Sequence, residues 1–166
     1  MRTKRPMLAT VAVVIGLLLA SCTVTIQPSP GFQITFNDVI TEFRPTRGVG
    51  STYYVGEEVR FLVTVTQPGY VTLSAIDPDG SVYVFSRNIL VPRGSSVLPL
   101  DSQRVVYNAA PPRGHHRIRA TFTANPTSGS VVYSGRRGDA EWSAAIELEL
   151  RQADVRDWSE TTLVIR

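Results

Sequence analysis

The sequence is poor in the residues that usually carry covalent or metal chemistry. Its 166 residues include one cysteine, Cys22, so no disulfide is expected within the chain. Histidine occurs only as the pair His115 and His116, although structural zinc takes four protein ligands and catalytic zinc three. There is no Gly-x-Ser-x-Gly motif, and the glycine-rich stretch at 47–56 lacks the lysine of a phosphate-binding loop. These absences leave few enzymatic reactions open.

The one cysteine closes an apolar leader. A basic start within residues 2–5 is followed by the uncharged run Met7–Leu19, which is short for a transmembrane helix. The ending Leu-Ala-Ser-Cys resembles the lipobox of bacterial lipoproteins. This resemblance implies that the chain is cut before Cys22, whose sulfur then carries a diacylglycerol. Residues 1–21 are therefore predicted to be a helical signal peptide of an exported, lipid-anchored protein. An ordinary secretory signal and a plain transmembrane anchor are the alternatives.

Basic residues do not outnumber acidic ones once the leader is set aside. Three of the 17 basic residues lie within residues 2–5 and all 14 acidic residues lie beyond residue 21, so the remaining chain carries 14 charges of each sign. The net charge of +3 therefore comes from the leader, and no nucleic-acid partner is expected. Prolines and a glycine indicate a short stiff tether over residues 22–31, and residues 32–166 are long enough for a single domain.

The rest of the chain alternates between apolar and polar residues with a period of two. From Val59 to Val65, every second residue is apolar. The Asp-Pro-Asp-Gly sequence at 77–80 is typical of a turn and predicts a hairpin over residues 70–87. Further strands are predicted at residues 89–91, 96–100, 104–110, 115–124, 130–135, 144–150 and 161–166. Since no segment shows a helical period over three turns, the pattern predicts an all-β, antiparallel sandwich, with a small β-barrel as the alternative.

Part of the chain resembles an uncharacterised bacterial domain. The matching positions are Tyr54, Gly56, Glu57, Gly69, Tyr70, Asp79, Gly80 and Asn88. The resemblance covers roughly residues 43–123. This segment is similar to a domain found in bacterial envelope lipoproteins, behind some bacterial receptor kinases, and in bacteria that carry S-layers. The resemblance implies an immunoglobulin-like sandwich and supplies no catalytic residues.

The adjacent histidines are the main candidates for metal chemistry. Imidazole is the commonest metal ligand, and an exported protein can meet copper or zinc. Strand alternation predicts His115 with Arg117 and Arg119 on one face and His116 on the other. Copper at the pair, with Arg113 completing an arginine cluster, would attract a small anion such as superoxide. Copper-only superoxide dismutases are similar in being exported sandwiches, but they use about four histidines. The simpler interpretation is one surface histidine and one at the rim of the core.

The preferred hypothesis is a lipid-anchored cell-envelope protein that acts as a structural or accessory subunit of a larger complex, such as an S-layer or outer-membrane assembly. Its expected partners are the membrane, through lipid on Cys22, and a larger envelope protein; no cofactor is expected. Thr23, rather than Asp, follows the cysteine, which resembles the sorting pattern of outer-membrane lipoproteins. The alternative is an exported copper enzyme of the superoxide dismutase type that uses His115 and His116.

Overall fold

The computed structural model describes residues 36–166 of the protein. The predicted signal peptide, the predicted lipidation of Cys22 and the predicted tether over residues 22–31 lie outside the described residues. Within the described part, no helix combines the length and the apolar character that crossing a bilayer requires.

Residues 36–166 form eight strands in two sheets. The smaller sheet has the order β1 (Ile40–Pro45), β3 (Phe61–Val65), β6 (Gly94–Leu98). The larger sheet has the order β2 (Ser51–Tyr53), β8 (Arg156–Ile165), β7 (Gly114–Thr123), β4 (Gly69–Ile76), β5 (Val82–Val91). A 3-10 turn at Asp101–Gln103 and one α-helix, α1 (Gly138–Leu150), are the other regular elements.

This strand order is that of an immunoglobulin-like sandwich. Neighbouring strands are antiparallel except β2, which runs parallel to β8 with Ser51 opposite Leu163. The N-terminal strands are thereby divided between the sheets, because β1 pairs with β3 and β2 pairs with β8. The predicted sandwich is confirmed. The alternative barrel is not observed, since the strands of the described chain form two separate sheets.

The period of two supplies the core between the sheets. In β3, Phe61, Val63 and Val65 are buried, as the alternation predicts. Leu73 of β4 and Phe122 of β7 belong to the same buried cluster. The β4–β5 hairpin and β7 lie where the sequence predicts them. A shift of one residue would turn every apolar side chain away from the core, so the alternation specifies the register of these strands.

The segment 144–150, predicted as a strand, forms the end of α1 instead. The buried positions of the helix are Trp142, Ala145, Ile146, Glu149 and Leu150. They follow the spacing of three and four residues that places side chains on one helical face, and this spacing outweighs the short alternation. Leu148, which a strand would place beside Ile146, is 46% exposed.

The helix begins with favourable charge and packs on the outer face of the larger sheet. Asp139 and Glu141 lie in its first turn, where the helix dipole favours negative charge. The Glu141 carboxylate also accepts a hydrogen bond from the backbone N–H of Arg137 at 2.8 Å. Nε1 of the fully buried Trp142 donates to Oγ of Ser74 on β4 at 2.9 Å, which fixes the helix to the sheet.

Two other predicted strands are irregular. Residues 104–110 contribute one isolated bridge, between Asn108 and Glu58, before two consecutive prolines without N–H groups end the segment. Residues 130–135 form a loop whose Tyr133 is buried in the cluster that α1 covers. Neither segment extends a sheet: Tyr107 packs against Phe61 of β3 and Phe85 of β5, and Tyr133 contacts Glu149 of α1 and Arg87 of β5.

The described chain starts at one end of the sandwich, which we call the Phe36 pole. The ring of Phe36 packs edge to face against Trp158, with centroids 6.4 Å apart, close to the start of β8 at Arg156. Strand β8 has ten residues, so its last residue, Ile165, lies roughly 30 Å away. We call this opposite end the cavity pole.

Two substitutions in α1 distinguish a helix from a strand. We expect Ile146→Ala to lower the free energy of unfolding by about 2–5 kcal/mol, because it removes a buried side chain. Leu148→Ala should change it by less than about 0.5 kcal/mol, because Leu148 is exposed. Denaturant unfolding followed by circular dichroism measures both. Equal losses would contradict the helix, since the two residues share a buried face only in a strand.

Candidate functional site

The five side chains predicted to form a site are not brought together. His115 is exposed and His116 is 2% exposed, so the adjacent imidazoles lie on opposite faces of β7. Arg117 and Arg119 lie on the outer face of the sheet, against α1. Arg113 is exposed in the loop before β7.

Both ring nitrogens of His116 take part in hydrogen bonds. Nδ1 lies 2.8 Å from Oδ1 of Asp77, and Nε2 lies 2.8 Å from the carbonyl oxygen of Pro112. A carbonyl oxygen only accepts, so Nε2 must carry a proton. The bond to Asp77 takes one further proton, held either on Nδ1 or on the carboxyl group. His116 therefore joins the 77–80 turn to the loop before β7, and neither nitrogen is free.

Metal binding at the histidine pair would need a different local arrangement. Among residues 36–166, no group of three or more His, Cys, Asp or Glu side chains is placed to hold a metal ion. An ion shared by His115 and His116 would also require His116 to leave one of its two partners. The copper alternative stays a prediction, which the paired variants described below test.

A cavity of about 310 Å³ lies between the two sheets at the cavity pole. Four of its lining residues are aromatic: Phe61, Tyr83, Phe85 and Tyr107. The rings of Phe85 and Tyr107 meet edge to face with centroids 5.2 Å apart, and Phe61 lies within 6.4 Å of each. Aliphatic side chains from the larger sheet and from the loops, together with Asn108 and His116, complete the wall.

Two of the four polar residues on the lining of the cavity are tyrosines, Tyr83 and Tyr107. Burial raises the pKa of Tyr83 well above its ordinary value, and the adjacent Asp77 carboxylate adds to the effect. Burial also raises the pKa of Tyr107, against a smaller opposite effect of Ser86 and Gln103. The Tyr107 hydroxyl is buried without a hydrogen-bond partner of good geometry among the described residues. Both phenols are therefore neutral at physiological pH.

Arg119 is buried between two tryptophans on the other side of the larger sheet. Its guanidinium carbon lies 4.0 Å from the ring centroid of Trp142 and 4.7 Å from that of Trp158. Nε donates to Glu160 at 2.7 Å and Nη2 donates to Asp139 at 2.9 Å. The stacked rings and the charge-assisted bonds together replace the water that the 4% exposed arginine has lost.

Arg117 completes this network. Its Nε and Nη2 donate to the two oxygens of Glu160 at 2.8 Å each, and its Nη1 lies 2.8 Å from Asp139. Burial alone would raise the pKa of Glu160, but the hydrogen bonds and charges of Arg117 and Arg119 outweigh it and lower that pKa. Two of the three arginines predicted to attract an anion are thus engaged with two carboxylates, while Arg113 is exposed.

A separate polar cluster holds the loop before α1. The buried carboxylate of Glu149 accepts hydrogen bonds from Arg87 at 2.5 Å, Tyr133 at 2.5 Å and Thr127 at 2.9 Å. Asn88, at φ 51°, donates to the Thr127 carbonyl and accepts from its N–H, both at 2.9 Å. Each Glu149 oxygen has a partner, so the cluster supports the loop.

The alternation predicts His116 at the rim of the core but does not indicate the cavity beside it. It predicts Asp77 only as part of a turn and Tyr107 only as part of a strand. The partners meet across large sequence separations, such as the 39 residues between Asp77 and His116. A buried histidine within an otherwise apolar face was the one available signal.

Comparison with family models matches part of the chain. Residues 52–126 match the model of a family described as a domain of unknown function (DUF4384). The match runs from within β2 to just beyond β7 and includes His116 and most of the cavity wall, but neither α1 nor β8. The fold and the match define an all-β sandwich that contains an uncharacterised domain. In this form the resemblance seen over residues 43–123 is confirmed. No curated protein and no solved structure matches the chain.

The two histidines provide a matched pair of variants. We expect His116→Ala to lower the free energy of unfolding by about 3 kcal/mol, because it leaves the largely buried Asp77 without its partner. His115→Ala should change stability by less than about 0.5 kcal/mol, because His115 is exposed. Denaturant unfolding gives the energies, and mass spectrometry gives the copper content after incubation with copper. Stoichiometric copper that both variants lose would support the copper alternative and contradict a structural role for His116.

The arginine network predicts acid-sensitive stability. A folded-state pKa below the ordinary value means that the Glu160 carboxylate stabilises the fold above its unfolded pKa, and that this stabilisation is lost as the pH falls through the folded pKa. We therefore expect Glu160→Gln to be less stable than the wild type at pH 7, with the difference shrinking as the pH falls below about 4. Unfolding curves from pH 7 to pH 3 measure this. Glu147→Gln, on the exposed face of α1, is the control, and an unchanged Glu160→Gln difference at low pH would contradict the network.

Proposed function

We propose that this protein is a lipid-anchored protein of the cell envelope that acts as a structural or accessory subunit of a larger envelope complex. The observation that carries the proposal is the position of Cys22, the only cysteine, at the end of an apolar leader with a lipobox-like ending. Each buried methylene of an acyl chain adds about 0.8 kcal/mol of membrane affinity, so two or three chains hold a protein durably.

The geometry of the sandwich is compatible with attachment at one end. The described chain begins at the Phe36 pole, so an anchor upstream is connected to the sandwich there. The cavity, the 77–80 turn and the loop before β7 lie at the opposite pole. These loops are the surfaces that we assign to a partner such as an S-layer or outer-membrane protein. Thr23 after the cysteine favours the outer membrane.

An accessory role fits the site better than catalysis does. Both nitrogens of His116 are occupied, and the two predicted arginines of β7 are paired with carboxylates. Several large apolar side chains are exposed in loops near the cavity pole: Val49 at 67%, Tyr54 at 63% and Val106 at 60%. Such residues are typical of protein interfaces when they lie together.

Mass spectrometry of the protein from its native host tests the anchor. We expect the mature chain to begin at Cys22 with a diacylglycerol on the sulfur and to partition into detergent. Cys22→Ser should leave an uncut precursor without lipid, because the acceptor sulfur is gone. Ser21→Ala keeps a small residue before the cut and should be processed normally.

Two results would contradict the proposal. A bare sulfur on Cys22, or an uncut leader in the wild-type protein, would remove the anchor. A processed protein that runs as a monomer after gentle detergent extraction, with no envelope protein in a stable complex, would remove the accessory role.

A further inference from the structure

We propose that the cavity between the two sheets binds a compact, neutral aromatic molecule. The inference stands on the cavity and its lining and does not depend on the lipid anchor.

The size of the cavity fits one substituted ring. Protein interiors are close-packed, and voids larger than a water molecule are few. A dry cavity of about 150 Å³ holds benzene, and ligand sites begin near 300 Å³. At about 310 Å³, this cavity has room for an aromatic ring with a short substituent.

The walls favour an aromatic occupant. Phe61, Phe85 and Tyr107 present rings that already contact one another in tilted and edge-to-face arrangements. Tyr83 lies beside Phe85, with centroids 6.3 Å apart, and is 36% exposed. An added ring can make the same edge-to-face contacts with these four side chains, which attract aromatic groups beyond simple burial.

The charges of the cavity favour a neutral molecule. His116 is its one lining residue with an ionisable nitrogen, and both of its nitrogens are bonded to Asp77 and Pro112. The Tyr83 and Tyr107 hydroxyls are neutral because burial raises their pKa values. A charged ligand would lose its hydration here without gaining a free counter-charge.

The Tyr107 hydroxyl does not reach the space of the cavity. It is buried and lies toward Ser86 and Gln103, which are not on the lining. Tyr107 therefore contributes its ring to the wall. Access is available at the exposed residues Val106 and Ala110, which lie on the lining of the cavity.

The test uses the full-length chain in detergent and three related probes. In calorimetric titrations, corrected for a detergent-only titration, we expect 4-ethylphenol and ethylbenzene to bind at one saturable site, and 4-ethylbenzoate, which is charged at pH 7, to show no binding. Tyr107→Phe should leave the binding of both neutral probes unchanged, because the Tyr107 ring is kept and its hydroxyl lies outside the space of the cavity.

Variants at the mouth keep the test independent of folding. Ala110→Trp, at an exposed position on the lining, should abolish binding of both neutral probes by blocking access. Val132→Trp, at a position 65% exposed and outside the lining, should bind them as the wild type does. The proposal is overturned if the wild type shows no saturable binding up to about 1 mM, if Ala110→Trp binds normally, or if the benzoate binds as well as the phenol.

Discussion

Strand β7 is covered on both of its faces, and this constraint decides where each candidate side chain can lie. One face, with His116, Ile118 and Phe122, is buried between the sheets. The other face carries Arg119 and lies beneath Trp142 of α1. A polar group on either face can persist only with bonded partners, since an unpaired buried charge costs several kcal/mol. Asp77 and Pro112 meet this requirement for His116, and Glu160 and Asp139 meet it for Arg119.

The same constraint explains why the two faces differ in character. On the outer face Arg117 and Arg119 are engaged, because helix α1 brings Asp139 and Trp142 directly over them. Between the sheets, the packing is complete near Leu73 and Phe122 but opens toward the cavity pole, where His116 and Tyr107 lie. The outer face of β7 therefore attaches helix α1 to the larger sheet, and the opening between the two sheets is where the proposed ligand can enter.

The parts of the fold that follow from local pattern could be predicted. The alternation around Val63 and the turn at 77–80 identify β3 and the β4–β5 hairpin, and the alternation after His115 identifies β7. Helix α1 could not be recognised in the same way, because its C-terminal half alternates like a strand. Glu149, which a strand would place on the same face as the exposed Glu147, is instead buried and bonded to Arg87 and Tyr133 from distant segments. The cavity likewise depends on how closely two sheets approach, which no single strand encodes.

The division of the N-terminal strands between the two sheets has a mechanical consequence. A pulling force applied at Phe36 along the strand axis would load the β1–β3 hydrogen bonds in shear, because β1 lies parallel to the direction of the force. These hydrogen bonds would share the load and would have to rupture together. Beyond β1, the short parallel pairing of β2 with β8 would resist in the second sheet. If the sandwich is anchored at one end and bound by a partner at the other, both sheets carry the load. Separating the strands of one sheet then does not release the chain.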